Sequence, residues 1–245
     1  MDNFEHSVSK FLSEVEKDFS NNQRKQLAKL APKLGRDIAV ALIGMQGRTS
    51  RAEIDVIAEI ISPFKPFKIY SFRKQPRKIV LEGVGPEGHI IRIHPQYAIP
   101  QPEILSTSKS QQYWWVDLAV ELHKPFDGDL IRLAVVGFEY DGHDAHFIES
   151  KIKKSYVRDV GIMYQEGFQP MHIAPEHWKK HPDLYIDTMI RYFWRRIREV
   201  QALDFQALKK MYLEQVDTPE FVLIGSGGVK RAIPLVRELD QLYNK

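Results

Sequence analysis

Three acidic residues lie on two strand-like runs in the middle of the sequence, in a pattern that suits a metal site. Glu139 and Asp141 end the run LIRLAVVGFEYDG, and Asp117 lies inside the preceding run YWWVDLAVEL. Side chains two positions apart on a strand point to the same face, so Glu139 and Asp141 share one. Val135 and Val136 indicate a central, buried strand, where two neighbouring carboxylates repel each other and lose hydration. A bound cation explains such a pair best.

Asp117 reaches this pair if the two runs form a hairpin through the turn KPFDGD. Three converging carboxylates make an oxygen-rich site that suits Mg²⁺ or Mn²⁺. Such a cation activates water and stabilises the charge that develops during phosphodiester hydrolysis. The spacing also fits a plainer interpretation, in which Asp117 and Asp141 are strand-end turn residues and Glu139 faces solvent, because Asp-Gly is a common turn signal. Spacing alone leaves both interpretations open.

Four short motifs in a fixed order resemble the PD-(D/E)XK nuclease superfamily, in the branch related to very-short-patch-repair endonucleases. The resemblance covers roughly residues 48–175. It implies an α/β (or α+β) fold, with a restriction-endonuclease-like mixed sheet flanked by helices. It also implies an endonuclease that cleaves DNA with Mg²⁺, for which Mn²⁺ substitutes. The matching motifs are Val116-Asp117-Leu118, Glu139-Tyr140-Asp141-Gly142, Arg158-Asp159 followed by Gly167-Phe168, and a helix glutamate similar to Glu53.

The resemblance assigns roles to these residues. Asp117, Glu139 and Asp141 would bind the metal, and Glu53 would assist from its helix. The lysine that the superfamily carries two residues after the strand glutamate is missing, since Asp141 stands there. His146 is therefore expected to assist the proton transfers, with Lys151 as an alternative substitute.

The chain departs from the family pattern at three further positions. The spacing from Asp-Gly to the histidine is one residue longer, so His143 competes with His146 as the counterpart. Ser155 stands where an acid precedes the helix arginine, and His172 stands where an arginine often ends the following strand. A literal E-x-K occurs at Glu149-Ser150-Lys151, but its surroundings lack the alternation of a core strand. The pair Glu139 and Asp141 is therefore preferred.

Positive charge is concentrated in the second half of a chain whose net charge is only +3. Such clusters suit a phosphate backbone, although a solvated helix face looks the same. DNA is the expected partner, with RNA not excluded, and the chain is a candidate for a homodimer or a larger defence or repair complex. Arg158 would either hold the substrate or brace the site through ion pairs. The residues expected to contact nucleic acid are Lys151, Lys153, Lys154, Arg158, Arg195 and Arg198.

The alternation of apolar residues predicts helix, sheet, then helix and strand again. Residues 1–47 form an N-terminal helical segment, and residues 48–245 form the nuclease-like domain with a helical C-terminal elaboration. Thr49 or Ser50 caps a helix with an apolar face at Ile54, Ile57, Ala58 and Ile61. The predicted strands are FKIYSF, KIVLEGV, HIIRIHPQYAI, YWWVDLAVEL, LIRLAVVGFEYDG, FQPMHIA and FVLIG; later helices are predicted at 152–165, at 184–213 and in RAIPLVRELDQLY.

Composition excludes several classes of protein. The chain has no cysteine, so disulfides, thiolate catalysis and thiolate zinc sites are absent. No apolar run reaches the roughly 18 residues of a membrane helix, and the start lacks an apolar signal core, so a cytoplasmic protein without membrane contact is expected. His89 and His94 are predicted to be surface residues on opposite faces of a strand. His172, His177 and His181 lack zinc-like spacing and a nearby carboxylate pair, which makes them weak ligand candidates.

The alternative function, from another class, is a non-catalytic nucleic-acid-binding or assembly subunit built on the same fold. It would bind DNA in EDTA and never cut it. A third reading is an unrelated α/β scaffold whose acidic cluster is coincidental.

Overall fold

Helices at both ends of the described chain enclose a single sheet. The computed structural model describes residues 2–45, 49–73, 78–101, 113–126, 129–142 and 149–202. The helices are α1 (Asp2–Lys17), α2 (Asn21–Leu34), α3 (Arg36–Ile43), α4 (Arg51–Ile61), α5 (Glu149–Glu166), α6 (Pro175–Lys180) and α7 (Pro182–Ala202). The strands are β1 (Lys68–Arg73), β2 (Lys78–Val84), β3 (Ile90–Pro100), β4 (Tyr113–Phe126), β5 (Asp129–Tyr140) and β6 (Phe168–Ile173).

The sheet has six strands in chain order, and its first five strands are antiparallel to their neighbours. The last strand, β6, runs parallel to β5. A parallel neighbour needs a crossover connection, and α5 supplies it. The protein is therefore an α/β protein with a mixed sheet flanked by helices, as the sequence predicts.

Adjacent residues of β5 face opposite sides of this sheet. Val136 and Phe138 join the large core formed with α1–α4 and α7. Val135 joins a smaller core on the other side, with Ile162 of α5 and Phe168 of β6. The N-terminal helices thus share one core with the sheet, and α5 covers part of the opposite face.

The start of α4 follows from local sequence. Ser50, rather than Thr49, caps the helix: its hydroxyl accepts a hydrogen bond from the Glu53 amide at 3.1 Å, and the Glu53 carboxylate accepts one from the Ser50 amide at 2.7 Å. This reciprocal pair satisfies two amides that a helix start otherwise leaves open. The predicted apolar face is confirmed, since Ile54, Ile57, Ala58 and Ile61 are all buried.

Other element boundaries differ from the predicted ones by a few residues. β4 continues to Phe126 and β5 starts at Asp129, so the hairpin connection is tighter than KPFDGD. The helix predicted at 152–165 begins earlier, at Glu149. The strand FVLIG and the last predicted helix lie outside the described residues. Within the described part of the chain, no helix is long and apolar enough to cross a membrane.

The prediction that His89 and His94 are surface residues is wrong. His89 is buried in the turn before β3, with its Nδ1 2.8 Å from the Pro86 carbonyl oxygen. His94 is mostly buried and donates from Nε2 to Oε2 of Glu121 at 3.1 Å. That carboxylate also accepts from His123 at 2.9 Å and from Arg132 at 3.1 Å.

Burial alone would raise the pKa of Glu121, but the hydrogen bonds from His123 and His94 and the Arg132 charge hold it well below its usual range. Buried polar residues on this face compensate one another. The prediction of exposure failed because side-chain spacing does not reveal such pairing between strands.

Replacement of Gly161 tests the packing of α5 on β4. A Cβ at this position would lie 2.4 Å from the far edge of the Trp114 ring. Glycine to alanine inside a helix ordinarily stabilises by about 1 kcal/mol. Because of this overlap, Gly161→Ala is expected to lower the free energy of unfolding by about 1–3 kcal/mol in urea denaturation.

The exposed neighbour Val160 gives the matched control. Val160→Ala on the same helix should change stability by less than about 0.5 kcal/mol. A stabilising effect of Gly161→Ala would contradict the described contact between α5 and β4.

Candidate active site

The predicted acidic residues lie where β4, β5 and β6 meet beside α5. β4 and β5 pair as an antiparallel hairpin, and their register ends at Leu118 opposite Phe138. On the other side of β5, Glu139 lies opposite His172 of β6. The predicted pairing of the two acidic strands is therefore confirmed, and it places Asp117 and Glu139 at the same end of the hairpin.

Beyond Leu118, the side chain of Asp117 takes the place of a backbone hydrogen bond between β4 and β5. Its Oδ2 accepts a hydrogen bond from the backbone amide of Tyr140 at 2.8 Å, and its Oδ1 accepts one from the side-chain nitrogen Nε2 of Gln96 at 3.4 Å. Gln96 has a left-handed backbone, with φ of +55°, which is uncommon for a residue other than glycine. Burial raises the pKa of Asp117 to about 6, the Tyr140 hydrogen bond opposes the shift, and the charge of Glu53 adds to it.

Glu139 is the most strongly desolvated carboxyl of the cluster. Its side chain is 11% exposed, and its Oε2 lies 3.4 Å from Nη1 of Arg158. Its Oε1 is buried and has no hydrogen-bond partner among the described residues. Burial raises the pKa of Glu139 to about 8, against the charge of Arg158 and with that of Asp117. At neutral pH this carboxyl therefore carries a proton unless more positive charge is supplied.

His172 connects two further carboxylates. Its Nδ1 lies 3.0 Å from Oδ2 of Asp141, just past the end of β5, and its Nε2 lies 2.8 Å from Oδ2 of Asp159 on α5. Carboxylates only accept, so both ring nitrogens donate. The hydrogen bonds to Asp141 and Asp159 raise the pKa of His172 to about 10, against the effect of burial.

The prediction that His172 lacks a nearby carboxylate pair is thus wrong. The pair comes from two elements that are distant in sequence, so spacing around His172 could not reveal it. The one available signal was the position of His172, at the end of the strand that follows the helix motif Arg158-Asp159. Asp159 was recognised as part of that motif but received no role.

Two other predicted residues lie near this cluster. Glu53 pairs with the N-cap residue Ser50 in the first turn of α4, and its negative charge raises the pKa of Asp117. The upstream helix therefore does come close to the site. Arg158 lies within ion-pair distance of both Glu139 and Asp159, at 3.4 Å from each. Of the two roles predicted for Arg158, these contacts favour the bracing role.

The remaining predicted residues divide into three groups. His143 and His146 lie outside the described residues, as do the side chains of Lys151 and Lys154 in α5. Lys153 is exposed on α5, whose first turn contains the alternative Glu149-Ser150-Lys151, so that motif lies on a helix and not on a strand. Arg195 and Arg198 are exposed on α7, which packs against the opposite face of the sheet.

The donor types at this cluster suit a hard divalent cation. Carboxylate oxygens are the ligands that Mg²⁺ prefers, and the buried Oε1 of Glu139 is a donor that no hydrogen bond uses. Across the described part of the chain, no group of three or more histidine or acidic side chains already has a metal-binding arrangement. Asp141 faces His172 and Glu139 faces Arg158. Binding would therefore require these carboxyls to exchange some of their present contacts.

Comparison with known proteins gives no relative. No model of a protein family, no curated protein and no solved structure matches this chain. The fold and the site define an α/β protein with a buried carboxyl cluster, and the function is argued from that cluster.

The protonation of Glu139 predicts a pH-dependent effect of Glu139→Gln. The pKa of Glu139 is raised from 4.5 to about 8, so the stability that protonation of this carboxyl contributes is fully present below about pH 4.5 and is lost as pH rises through 8. Because glutamine does not ionise, the variant does not lose this stability as pH rises. Measured by urea unfolding in EDTA, the stability of Glu139→Gln relative to wild type should increase between pH 5 and pH 9, by about 2–4 kcal/mol at about 1.4 kcal/mol per pKa unit.

Glu199→Gln provides the control, because the pKa of this carboxyl is lowered by Arg195 and it stays ionised across the same range. Its stability difference from wild type should be constant between pH 5 and pH 9. Equal pH profiles for Glu139→Gln and wild type would show that Glu139 ionises normally.

Proposed function

We propose that this protein is a Mg²⁺-dependent endonuclease that hydrolyses DNA phosphodiester bonds, with Mn²⁺ able to substitute. The observation that carries the proposal is the buried Oε1 of Glu139, which lacks a hydrogen-bond partner among the described residues and has the charges of Asp117, Asp159 and His172 nearby. Asp141 contacts the same His172. A desolvated carboxyl without compensation is costly, and a divalent cation compensates it.

The arrangement of elements supports membership of the PD-(D/E)XK superfamily, which the sequence motifs suggest. Asp117 comes from one strand of an antiparallel hairpin, and Glu139 and Asp141 come from the end of the next strand. The helix α5 then crosses to a strand parallel to β5. A mixed sheet with carboxyls at this end of its hairpin agrees with a restriction-endonuclease-like fold.

Asp117, Glu139 and Asp141 would hold the metal, which supplies Lewis-acid activation of water and of the phosphoryl oxygens. Arg158 and His172 keep positive charge beside these carboxyls, where it can also stabilise a phosphate. Glu53 adds negative charge from α4. His146 remains the proposed partner for proton transfer.

Basic residues on the helices would bind the nucleic acid. Lys153 is exposed on α5, the helix that also carries Arg158, so phosphate contacts along α5 would lead to the carboxyl cluster. Lys151 and Lys154 belong to the same proposed contact, whereas Arg195 and Arg198 would bind a segment on the far side of the sheet. A cytoplasmic setting, and a homodimer or a larger defence or repair complex, remain part of the proposal.

A second candidate, a non-catalytic nucleic-acid-binding subunit on this fold, is favoured by one observation. The cations of Arg158 and His172 already neutralise part of the cluster without any metal. A carboxyl cluster whose charge is balanced by these two side chains would have a structural role and would need no metal ion. Such a protein would bind DNA in EDTA and never cleave it.

Cleavage assays separate the two candidates. Wild type is incubated with single-stranded, duplex and branched DNA, and with RNA, in Mg²⁺, Mn²⁺ or EDTA. Cleavage is expected only with a divalent ion, and Asp117→Asn or Asp141→Asn should reduce its rate more than about 100-fold, because the ion supplies several kcal/mol of charge stabilisation. Circular dichroism should show the fold retained.

The matched control is Asp129→Asn, at the opposite end of β5, which should cleave like wild type. Cleavage that persists in EDTA, or that Asp141→Asn leaves unchanged, would contradict the proposed nuclease. Binding of DNA without cleavage under every condition would favour the non-catalytic candidate.

A further inference from the structure

Three elements meet through one imidazole ring. His172 is the penultimate residue of β6, and its two ring nitrogens lie 3.0 Å from the Asp141 carboxylate and 2.8 Å from the Asp159 carboxylate of α5. The ring therefore ties the end of β5 to the crossover helix. The sequence separations are large, at 31 residues to Asp141 and 13 residues to Asp159.

The carboxylate of Asp141 depends on side-chain contacts for its orientation. It lies one residue beyond the end of β5 and is followed by Gly142. Its backbone amide donates to the Ile173 carbonyl at 3.0 Å, which extends the pairing between β5 and β6 by one step. This bond fixes the backbone of Asp141, whereas the direction of its carboxylate depends on side-chain contacts, of which His172 supplies one.

We propose that His172 is a positioning residue, which holds the Asp141 carboxylate in place for a divalent cation by anchoring it to Asp159 on α5. The inference rests on the proposed function and adds a residue to it. Groups that orient a metal-binding side chain from outside the coordination sphere typically change metal affinity by about 10–100-fold when removed. Asp159 acts through His172 and supports the far side of the ring.

Electrostatics alone predicts the opposite sign. Removing a positively charged ring beside carboxylates makes the site more negative, which would strengthen binding of a cation. Orientation predicts weaker binding when the ring is lost. The sign of the change therefore distinguishes a positioning residue from a simple counter-charge.

The test measures Mn²⁺ affinity by calorimetry for wild type, His172→Leu, His172→Arg and Asp159→Asn. His172→Leu should bind Mn²⁺ about tenfold more weakly or worse. His172→Arg should stay close to wild type, because a guanidinium donates to two carboxylates at once. Asp159→Asn should weaken binding in the same direction, and the double variant His172→Leu/Asp159→Asn should bind no more weakly than His172→Leu alone.

His89→Leu is the matched control, since this histidine also has a ring hydrogen bond, to the Pro86 carbonyl oxygen at 2.8 Å, but lies before the end of β3 that is remote from Gln96 and the carboxyl cluster. It should bind Mn²⁺ like wild type. Thermal unfolding of each variant identifies loss of fold, and His172→Ala serves as the second test if His172→Leu fails to fold.

Weaker binding by His172→Leu with rescue by His172→Arg supports the positioning role. Unchanged or tighter binding by His172→Leu or Asp159→Asn, with wild type binding normally, overturns that role and leaves the proposed nuclease standing. Wild type that binds no Mn²⁺ overturns the proposed function, and the positioning role with it.

Discussion

Burial of the Glu139 carboxyl at the end of a central strand is the constraint on which the rest of the site depends. The carboxyl is desolvated, its pKa is raised to about 8, and one of its oxygens has no hydrogen-bond partner among the described residues. Two neighbouring side chains are arranged around this carboxyl. Arg158 approaches from α5, and Asp117 is held by the Tyr140 amide at the point where the pairing of β4 with β5 ends. A buried acid of this kind is costly to maintain, and such groups often mark functional sites.

The cations around the cluster explain how the fold tolerates it. Arg158 contacts Glu139, and His172 links Asp141 to Asp159, so positive charge from α5 and β6 offsets these three carboxyls. The compensation is incomplete, because the pKa values of Asp117 and Glu139 are still raised. This remaining deficit of positive charge separates the nuclease proposal from the purely structural one, since a divalent cation would remove it.

Sequence predicts those features that depend on local chemistry or on alternation along a strand. The Ser50–Glu53 cap is a contact between residues three apart, and the meeting of Asp117 with Glu139 follows from a hairpin between consecutive strands. The contacts of His172 depend on the parallel pairing of β6 with β5 and on which face of α5 lies beside it, and neither follows from a pattern along the chain. The cluster around Glu121 was missed for a related reason, because its polar residues face one another across strands and are buried together.

Titration of the Glu139 carboxyl shows whether its burial creates the need for a cation. Protein labelled with ¹³C at the glutamate carboxyl is titrated by NMR, with Glu139→Gln used to assign the signal. Without a divalent ion, the pKa of Glu139 is expected at about 8, far above its ordinary value of 4.5. Saturating Mg²⁺ should lower that pKa by about 1–3 units or more, as an adjacent opposite charge does. A Glu139 signal that titrates at the same pH with and without Mg²⁺ would contradict binding of the ion by this carboxyl.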